Sequence, residues 1–287
     1  MADTRVVHAG LIGSGIQASL TPAMHMREGA AQGLAYTYEK LDLDLLPDGA
    51  AALAALLREA EDSGLDGLNI THPCKQTVIG LLDEVDEDVQ ALGACNTVVL
   101  TGGRRIGRNT DWWGFAESFR RGLPGASLAQ VVQMGAGGAG SAVAYALLTL
   151  GAGKVEIFDL DQAKARELVD RLAPRFGRDR IVAGRDIAAA MATADGLAQC
   201  TAVGMAKYPG TPLDVTLLQP HQWVAEVIYF PLETALLKAA RERGCAVLDG
   251  GGMAVLQAVK AFEHFTGLMA DTERMRAHFG ELVAATA

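Results

Sequence analysis

Apolar positions along the chain fall into short runs separated by longer segments with helical spacing. Val6 to Ile12, Tyr36 to Leu41, Leu65 to Ile70 and Asn96 to Leu100 have the β-branched or alternating character of strands. Between them, Pro22 to Ala31, Ala50 to Ala60 and Thr77 to Leu82 have helical spacing or an alanine–leucine content that favours helix. Thr21 is the expected N-cap of the first of these, with Pro22 at its first position. Gly102-Gly103-Arg104-Arg105 predicts a hairpin turn. A helix over Trp112 to Arg121 ends at Gly122-Leu123-Pro124-Gly125, which marks a boundary. The pattern then restarts, with strands at Val131 to Met134, Val155 to Phe158, Ile181-Val182, Gly196 to Cys200, Val224 to Ile228 and Ala246 to Leu248, and helices between them. Gly250-Gly251-Gly252 predicts a hinge before a long helix from Met253 to Phe265. An amphipathic surface helix follows from Thr272.

Strand–helix alternation of this kind predicts an α/β protein. The expected organisation is an N-terminal α/β domain with a mostly parallel sheet over residues 1–113 and a second α/β domain over 114–249. Helices over 250–287, with no strand partner left, are expected to return to the first domain.

The second domain opens on the stretch that organises the chain. Val131-Val132-Gln133-Met134 breaks into Gly135-Ala136-Gly137-Gly138-Ala139-Gly140, and a helical pattern follows. Strand, G-x-G-x-x-G and helix are the context of a dinucleotide fingerprint. The glycines allow a tight turn, approach of a pyrophosphate to the backbone, and close packing of helix on strand. The helix start offers N–H groups and a partial positive charge to phosphates. The next strand ends in Asp159-Leu160-Asp161, where a carboxylate is placed to accept from ribose hydroxyls. Asp159 and Asp161 repel a 2′-phosphate, and Leu160 stands where an arginine would grip one. Lys164 and Arg166 are expected to point to solvent. The residues therefore favour NAD over NADP.

Length and composition bound the rest. At 287 residues the chain has room for about two domains, and with half its residues hydrophobic and 21% charged it can bury a core. A formal charge of −9, with acids and bases interspersed, argues against nucleic acid or anionic membrane as a partner. The N-terminal residues lack a signal-peptide pattern, and no apolar run is long enough to span a bilayer. Cys74, Cys95, Cys200 and Cys245 are far apart, as free thiols in a reducing cytoplasm would be. The six histidines form no ligand-spaced cluster, so no metal is expected.

Three polar clusters of the first domain lie where strands end. In Gly13 to Pro22, the hydroxyls of Ser19 and Thr21 precede a helix; they either cap it or, with its N-terminus, hold a carboxylate. In Asn69-Ile70-Thr71-His72-Pro73-Cys74-Lys75, a strand ends in an amide, a hydroxyl and an ammonium. Lys75 is either a solvent-exposed lysine after a turn or a proton-transfer group in a cleft. In Gly107-Arg108-Asn109-Thr110-Asp111, a carboxylate precedes a helix and is either a cap or a functional acid. Asn96 opens a strand after Cys95.

Together these segments resemble the shikimate dehydrogenase family, and within it the NAD-using quinate/shikimate branch. The opening motif is Gly10-Leu11-Ile12-Gly13 with Ser19-Leu20-Thr21-Pro22-Ala23-Met24-His25. The N-x-T-x-P-x-K motif is Asn69 to Lys75, the G-A-x-N-T-V segment is Gly93 to Val98, and G-x-N-T-D is Gly107 to Asp111. The glycine loop is Gly135 to Gly140, and the late G-M-x-x-x-Q-A stretch is Gly252 to Ala258.

The resemblance implies a two-domain fold with a Rossmann-type nucleotide domain. It implies a cytoplasmic oxidoreductase, monomeric or homodimeric, serving the shikimate pathway of aromatic amino acid biosynthesis. The substrate would be a hydroxylated cyclohexene or cyclohexane carboxylate. Ser19 and Thr21 would bind its carboxylate, and Asn69, Thr71, Asn96, Asp111 and Gln257 its ring hydroxyls. Lys75 and Asp111 would be the catalytic pair. Alternatives are an aminoshikimate-type dehydrogenase of a secondary pathway, or a catalytically weak sensor that binds NAD and a ring acid.

The chain departs from the family pattern in places. Gly15 and Ala18 replace a common proline and histidine, and Thr21 replaces a second serine. Gln199-Cys200-Thr201-Ala202-Val203-Gly204 lacks an asparagine and a proline, and three glycines precede Met253. These bear on substrate identity more than on reaction type.

Overall fold

The computed structural model describes residues 4–286, in two compact units. One comprises the chain up to Thr110 together with Val255 onward; the other runs from Asp111 to Ala254.

In the first unit the chain forms β1 (Val6–Gly13), α1 (Thr21–Ala31), β2 (Ala35–Asp42), α2 (Leu53–Asp62), β3 (Gly67–Ile70), β4 (Glu84–Val85), α3 (Glu87–Leu92), β5 (Thr97–Thr101) and β6 (Arg104–Arg108). The strands make one sheet in the order β2-β1-β3-β5-β6-β4. β1 pairs in parallel with both β2 and β3, so their carboxyl ends lie side by side, with Gly13 opposite Asp42 and Ile12 opposite Ile70. β5 is antiparallel to β3 and to β6, the latter across the Gly102-Gly103 turn. The sheet is thus mixed.

Local chemistry sets several differences from the sequence pattern. Residues Gly49–Ala52 and Thr77–Leu81 form tight 3-10 turns rather than full helix. The short α3 is capped by the Asp86 carboxylate on the Val89 N–H and stopped by Gly93 at φ +61°. Helix α1 has Leu20, not Thr21, at its N-cap, and no side chain caps it.

The second unit comprises α4 (Asp111–Gly122), β7 (Gln130–Met134), α5 (Gly138–Thr149), β8 (Lys154–Phe158), α6 (Gln162–Phe176), β9 (Ile181–Ala183), α7 (Ile187–Thr193), β10 (Gly196–Gln199), β11 (Trp223–Glu226), α8 (Ala235–Glu242) and β12 (Ala246–Leu248). Its six strands run in parallel in the order β12-β11-β10-β7-β8-β9. The order reverses between β7 and β10, and ligands of such sheets bind at the carboxyl ends of the strands beside that point. Strands buried on both faces carry Val131, Val132, Val155, Ile157, Leu197 and Val224, each at most 2% exposed. Each such side chain contributes about 1.5–3 kcal/mol by leaving water.

Helices α9 (Gly251–Thr266) and α10 (Thr272–Thr286) complete the chain. Phe262 and Phe265 of α9 pack with Val7, Ala9, Leu11, Tyr36 and Tyr38 of β1 and β2, so the C-terminal helices return to the first unit. The buried Glu28 carboxylate of α1 accepts two hydrogen bonds from the Arg274 guanidinium, both at 2.7 Å, and one from the Asp271 N–H. Burial pushes the Glu28 carboxyl up, but the bonds from Arg274, Asp271 and Gln32 outweigh it and hold it below its usual range.

Both passages between units differ in position from the expected junctions. The first falls between Thr110 and Asp111, because α4 belongs with α5: Trp112 meets the Tyr145 ring edge-on at 5.3 Å. The second falls within α9, after Ala254. Gly251 and Gly252 are the first two residues of that helix. A Cβ on Gly250 would lie 2.5 Å from the Val227 carbonyl carbon, and one on Gly252 would lie 2.2 Å from Ser118 Oγ. These two glycines therefore serve close packing.

Among the described residues no helix is long and apolar enough to cross a membrane, and no cluster of three or more His, Cys, Asp or Glu side chains is arranged to hold a metal.

Candidate active site

The loops that follow β1 and β3 meet because their strands are neighbours. The Ser14 N–H donates to the His72 carbonyl at 2.9 Å, and the Thr71 N–H donates to the Ile12 carbonyl at 2.9 Å. Ser19, Thr21, Thr71 and Lys75 are all half-buried on these loops or at the start of α1. Ser19 Oγ accepts from the Thr21 N–H at 3.4 Å, so it already reaches the helix start. The Lys75 carbonyl is held by the Cys95 N–H at 2.8 Å, which fixes the backbone from which the ammonium extends.

Asn69 and Asn96 lie deeper, 4% and 2% exposed, in one hydrogen-bonded network. The Tyr38 hydroxyl donates to Asn69 Oδ1 at 2.7 Å, and Asn69 Nδ2 donates to the Asn96 carbonyl and to Thr97 Oγ1. Both amide protons of Asn69 are thereby engaged; its Oδ1, with a second lone pair, remains able to accept. Asn96 Oδ1 accepts from the Thr110 N–H at 2.7 Å and from Thr97 Oγ1 at 3.0 Å, while its Nδ2 donates to Thr110 Oγ1. Gln257, on α9, is half-buried. Asp111 is 6% exposed and is the first residue of α4, in the second unit.

In the second unit the glycine loop has the geometry a dinucleotide needs. Gly135 has φ +98°, and a Cβ there would stand 2.8 Å from the Cys200 carbonyl carbon. A Cβ on Gly140 would lie 2.1 Å from the Gly135 oxygen, so only glycine allows α5 to start this close. A Cβ on Gly137 would meet nothing within 4 Å: this backbone faces open space, as approach by a phosphate requires. Ala136, Gly138 and Ala139 are half-buried along the same turn. Asp159 Oδ2 accepts from the Ala136 N–H, and its Oδ1 accepts from the Asp161 N–H. Asp161 caps α6 through the Ala163 N–H. Leu160 is fully exposed, and Lys164 and Arg166 are exposed. These residues fit a dinucleotide held with its pyrophosphate at the α5 N-terminus and a ribose at Asp159.

Three further buried residues stand out, and two of them, Tyr38 and Gln133, hold these parts in place. Tyr38 fixes Asn69, as above. Gln133, wholly buried near the carboxyl end of β7, donates through Nε2 to the Gly135 carbonyl at 2.9 Å and to the Gly140 carbonyl of α5 at 2.8 Å, tying the loop to the first turn of the helix. Glu226, at the carboxyl end of β11, is 1% exposed. Its Oε2 accepts from the Thr234 hydroxyl, and its Oε1 has no hydrogen-bond partner. Burial pushes its carboxyl up to about 7, against the Thr234 bond and with a smaller push from Asp249. For Gln133 and Glu226 the one available signal was a polar residue in an otherwise apolar strand; Tyr38, in the polar-rich β2, carried none.

Comparison with known proteins bears on the same segments. Residues 11–98 match the shikimate dehydrogenase substrate binding domain, and residues 250–278 match the shikimate 5'-dehydrogenase C-terminal domain. A shikimate dehydrogenase (NADP(+)) of Pseudarthrobacter chlorophenolicus is 53% identical over 96% of this chain and 95% of its own length. A quinate/shikimate dehydrogenase (NAD(+)) of Corynebacterium efficiens is 50% identical over 94% of this chain and 96% of its own. The structure of quinate dehydrogenase from Corynebacterium glutamicum in complex with NAD superposes with a TM-score of 0.93 and 48% identity, covering 97% of this chain and all of that one.

Proposed function

The chain belongs to the shikimate dehydrogenase family, and from that membership we propose that it oxidises shikimate to 3-dehydroshikimate, quinate to 3-dehydroquinate, or both, reversibly, in the cytoplasm with NAD. It is an oxidoreductase that acts on a CH–OH group with NAD(P). The observation that carries the residue roles is the meeting of the loops after β1 and β3, tied by Ser14 to His72. The segments that carry Ser19, Thr21, Thr71 and Lys75 thus follow neighbouring strands, which supports shared roles for them toward an acid with several ring hydroxyls.

Ser19 and Thr21 bind the carboxylate, aided by the N–H groups at the start of α1. Asn69 accepts from a ring hydroxyl through Oδ1, and Thr71, Asn96, Asp111 and Gln257 make the remaining polar contacts. The nicotinamide, when bound, takes up or returns the hydride. The alcohol proton needs an acceptor as the hydride leaves, and Lys75 in its amine form supplies one; in ketone reduction its ammonium returns the proton. The Asp111 carboxylate orients and stabilises that ammonium.

NAD is favoured because Asp159 places a negative charge beside the glycine loop while Leu160 offers no grip for a 2′-phosphate. Among substrates the test is a panel of shikimate, quinate and aminoshikimate, each followed by cofactor reduction. Turnover of shikimate or quinate supports the reading. Turnover of aminoshikimate alone, or of none, contradicts it.

A further inference from the structure

The Asp42 carboxylate ends β2 directly opposite Gly13, and it is 5% exposed. Its Oδ1 accepts from the Gly15 N–H at 3.1 Å and from the Asp44 N–H at 3.1 Å, and its Oδ2 accepts from Gln17 Nε2 at 2.9 Å. The Gln17 amide and, more weakly, the N–H groups of Asp44, Gly15 and Ile16 hold this carboxyl below its usual range, so it stands as an ionised acceptor. Gly15 reaches it only because its φ is +66°, a conformation that proline cannot adopt and other residues adopt with strain. Lys40, on the same strand as Asp42, donates its ammonium to the Gln17 carbonyl. Immediately beyond, the Ser19 N–H closes back on the Ile16 carbonyl at 2.9 Å.

The segment from Ser14 to Ser19 is therefore not shaped by its own hydrogen bonds alone. Its middle is drawn onto one carboxylate of the neighbouring strand, and the next residues in the chain are Ser19, Leu20 and Thr21. A carboxylate that accepts several hydrogen bonds at once fixes the donors in direction as well as distance. We propose that Asp42 is the positioning residue of the substrate-carboxylate loop, setting through Gly15 and Gln17 where the Ser19 and Thr21 hydroxyls stand. This rests on the reading that those hydroxyls bind the acid.

The test is steady-state kinetics on the full-length protein with shikimate or quinate. Asp42→Asn keeps the shape but removes the charge and leaves a single acceptor oxygen for the donors of Gly15, Asp44 and Gln17. It should raise KM for the acid about ten-fold, with kcat little changed and KM for the cofactor unaltered. Adding Gln17→Glu restores a charge-assisted hydrogen bond, with the carboxylate now at position 17, and should return KM most of the way. A merely structural loss would lower kcat, raise both KM values and gain nothing from the second change. An unchanged KM in Asp42→Asn, or no recovery in the double variant, overturns the proposal. Should Asp42→Asn not fold, Gln17→Ala, which alters an exposed side chain, decides: a raised KM for the acid alone supports the proposal, and a wild-type KM overturns it. Ser19→Ala separates the underlying reading, because its KM rises only if the hydroxyl contacts the acid. A rise there without one in the Asp42 and Gln17 variants removes the positioning role and leaves the carboxylate site standing.

Discussion

The Ala136 N–H donates to Asp159 Oδ2 at 2.8 Å, joining the glycine loop to the end of the adjacent strand across 23 residues of sequence. The same carboxylate accepts from the Asp161 N–H at 2.9 Å. An ionised carboxylate offers about four acceptor sites, so this residue shapes the loop and still has capacity for a ribose diol. Charge and geometry at Asp159 can be separated by substitution.

Asp159→Asn keeps the shape and an acceptor oxygen for Ala136 while removing the charge. It is expected to narrow the preference for NAD over NADP, chiefly by relieving repulsion of the 2′-phosphate. Asp159→Ser combined with Leu160→Arg should invert the preference, because the guanidinium can pair with a phosphate. The ratio of kcat/KM for the two cofactors at one ionic strength measures both effects. An unchanged ratio in the double variant would place the discrimination elsewhere.

Gln133→Leu is expected to raise KM for the cofactor about ten-fold and leave KM for the acid unaltered. It removes the side-chain donor of the Gly135 carbonyl, costing about 1–3 kcal/mol if that group is left without a donor, and a second donor to the helical Gly140 carbonyl, so a lowered Tm should accompany the kinetic change. A Tm loss with normal cofactor affinity would confine Gln133 to folding.

Lys75→Ala should lower kcat by about 10²–10⁴, the range of general acid–base catalysis, while cofactor binding, followed by fluorescence quenching or calorimetry, persists. A variant with near-normal kcat would remove Lys75 from proton transfer.

Two buried groups, His25 and Glu226, carry opposite pH signatures. Burial holds His25, among Tyr36, Tyr38, Phe262 and Phe265, down to about 3 against an ordinary 6.5. The unfolded chain binds more protons in that interval, so this contribution is present above pH 6.5 and is lost as pH falls. Glu226 behaves oppositely. Its carboxyl is raised from 4.5 to about 7, the folded protein holds the extra proton, and stability is lost as pH rises through that window. The loss amounts to as much as about 3 kcal/mol. Glu226→Gln should remove that decline, so its Tm relative to wild type should increase between pH 5 and pH 8 by about 5 °C or more. A constant difference across the range would show that Glu226 is not protonated in the fold.

How much of this was legible from sequence depends on the range of the interaction. The turn at Gly102-Gly103 and the glycine loop are local, and their chemistry appears in consecutive residues. The C-terminal return was legible too, since α9 is apolar and no strand remained to receive it. Partnerships set by strand register were not. Tyr38 meets Asn69 and Asp42 meets Gly15 only because β2, β1 and β3 are neighbours in parallel, and nothing local in the sequence announces it. Asn69 and Asn96 lie in segments that carry the family resemblance, yet much of their hydrogen-bonding capacity is spent on each other's surroundings. Gly250 to Gly252 predicted a hinge because glycine loosens a chain; here Gly250 and Gly252 instead admit Val227 and Ser118 to close contact.

The most direct test of the account is kcat/KM of the unmodified protein for shikimate and for quinate, each with NAD and with NADP, at one pH and ionic strength. The account predicts turnover of at least one of the two acids, with NAD preferred by roughly ten-fold or more, equivalent to about 1.4 kcal/mol of discrimination at Asp159. Equal or better use of NADP, or no reduction of either cofactor with either acid, would contradict it.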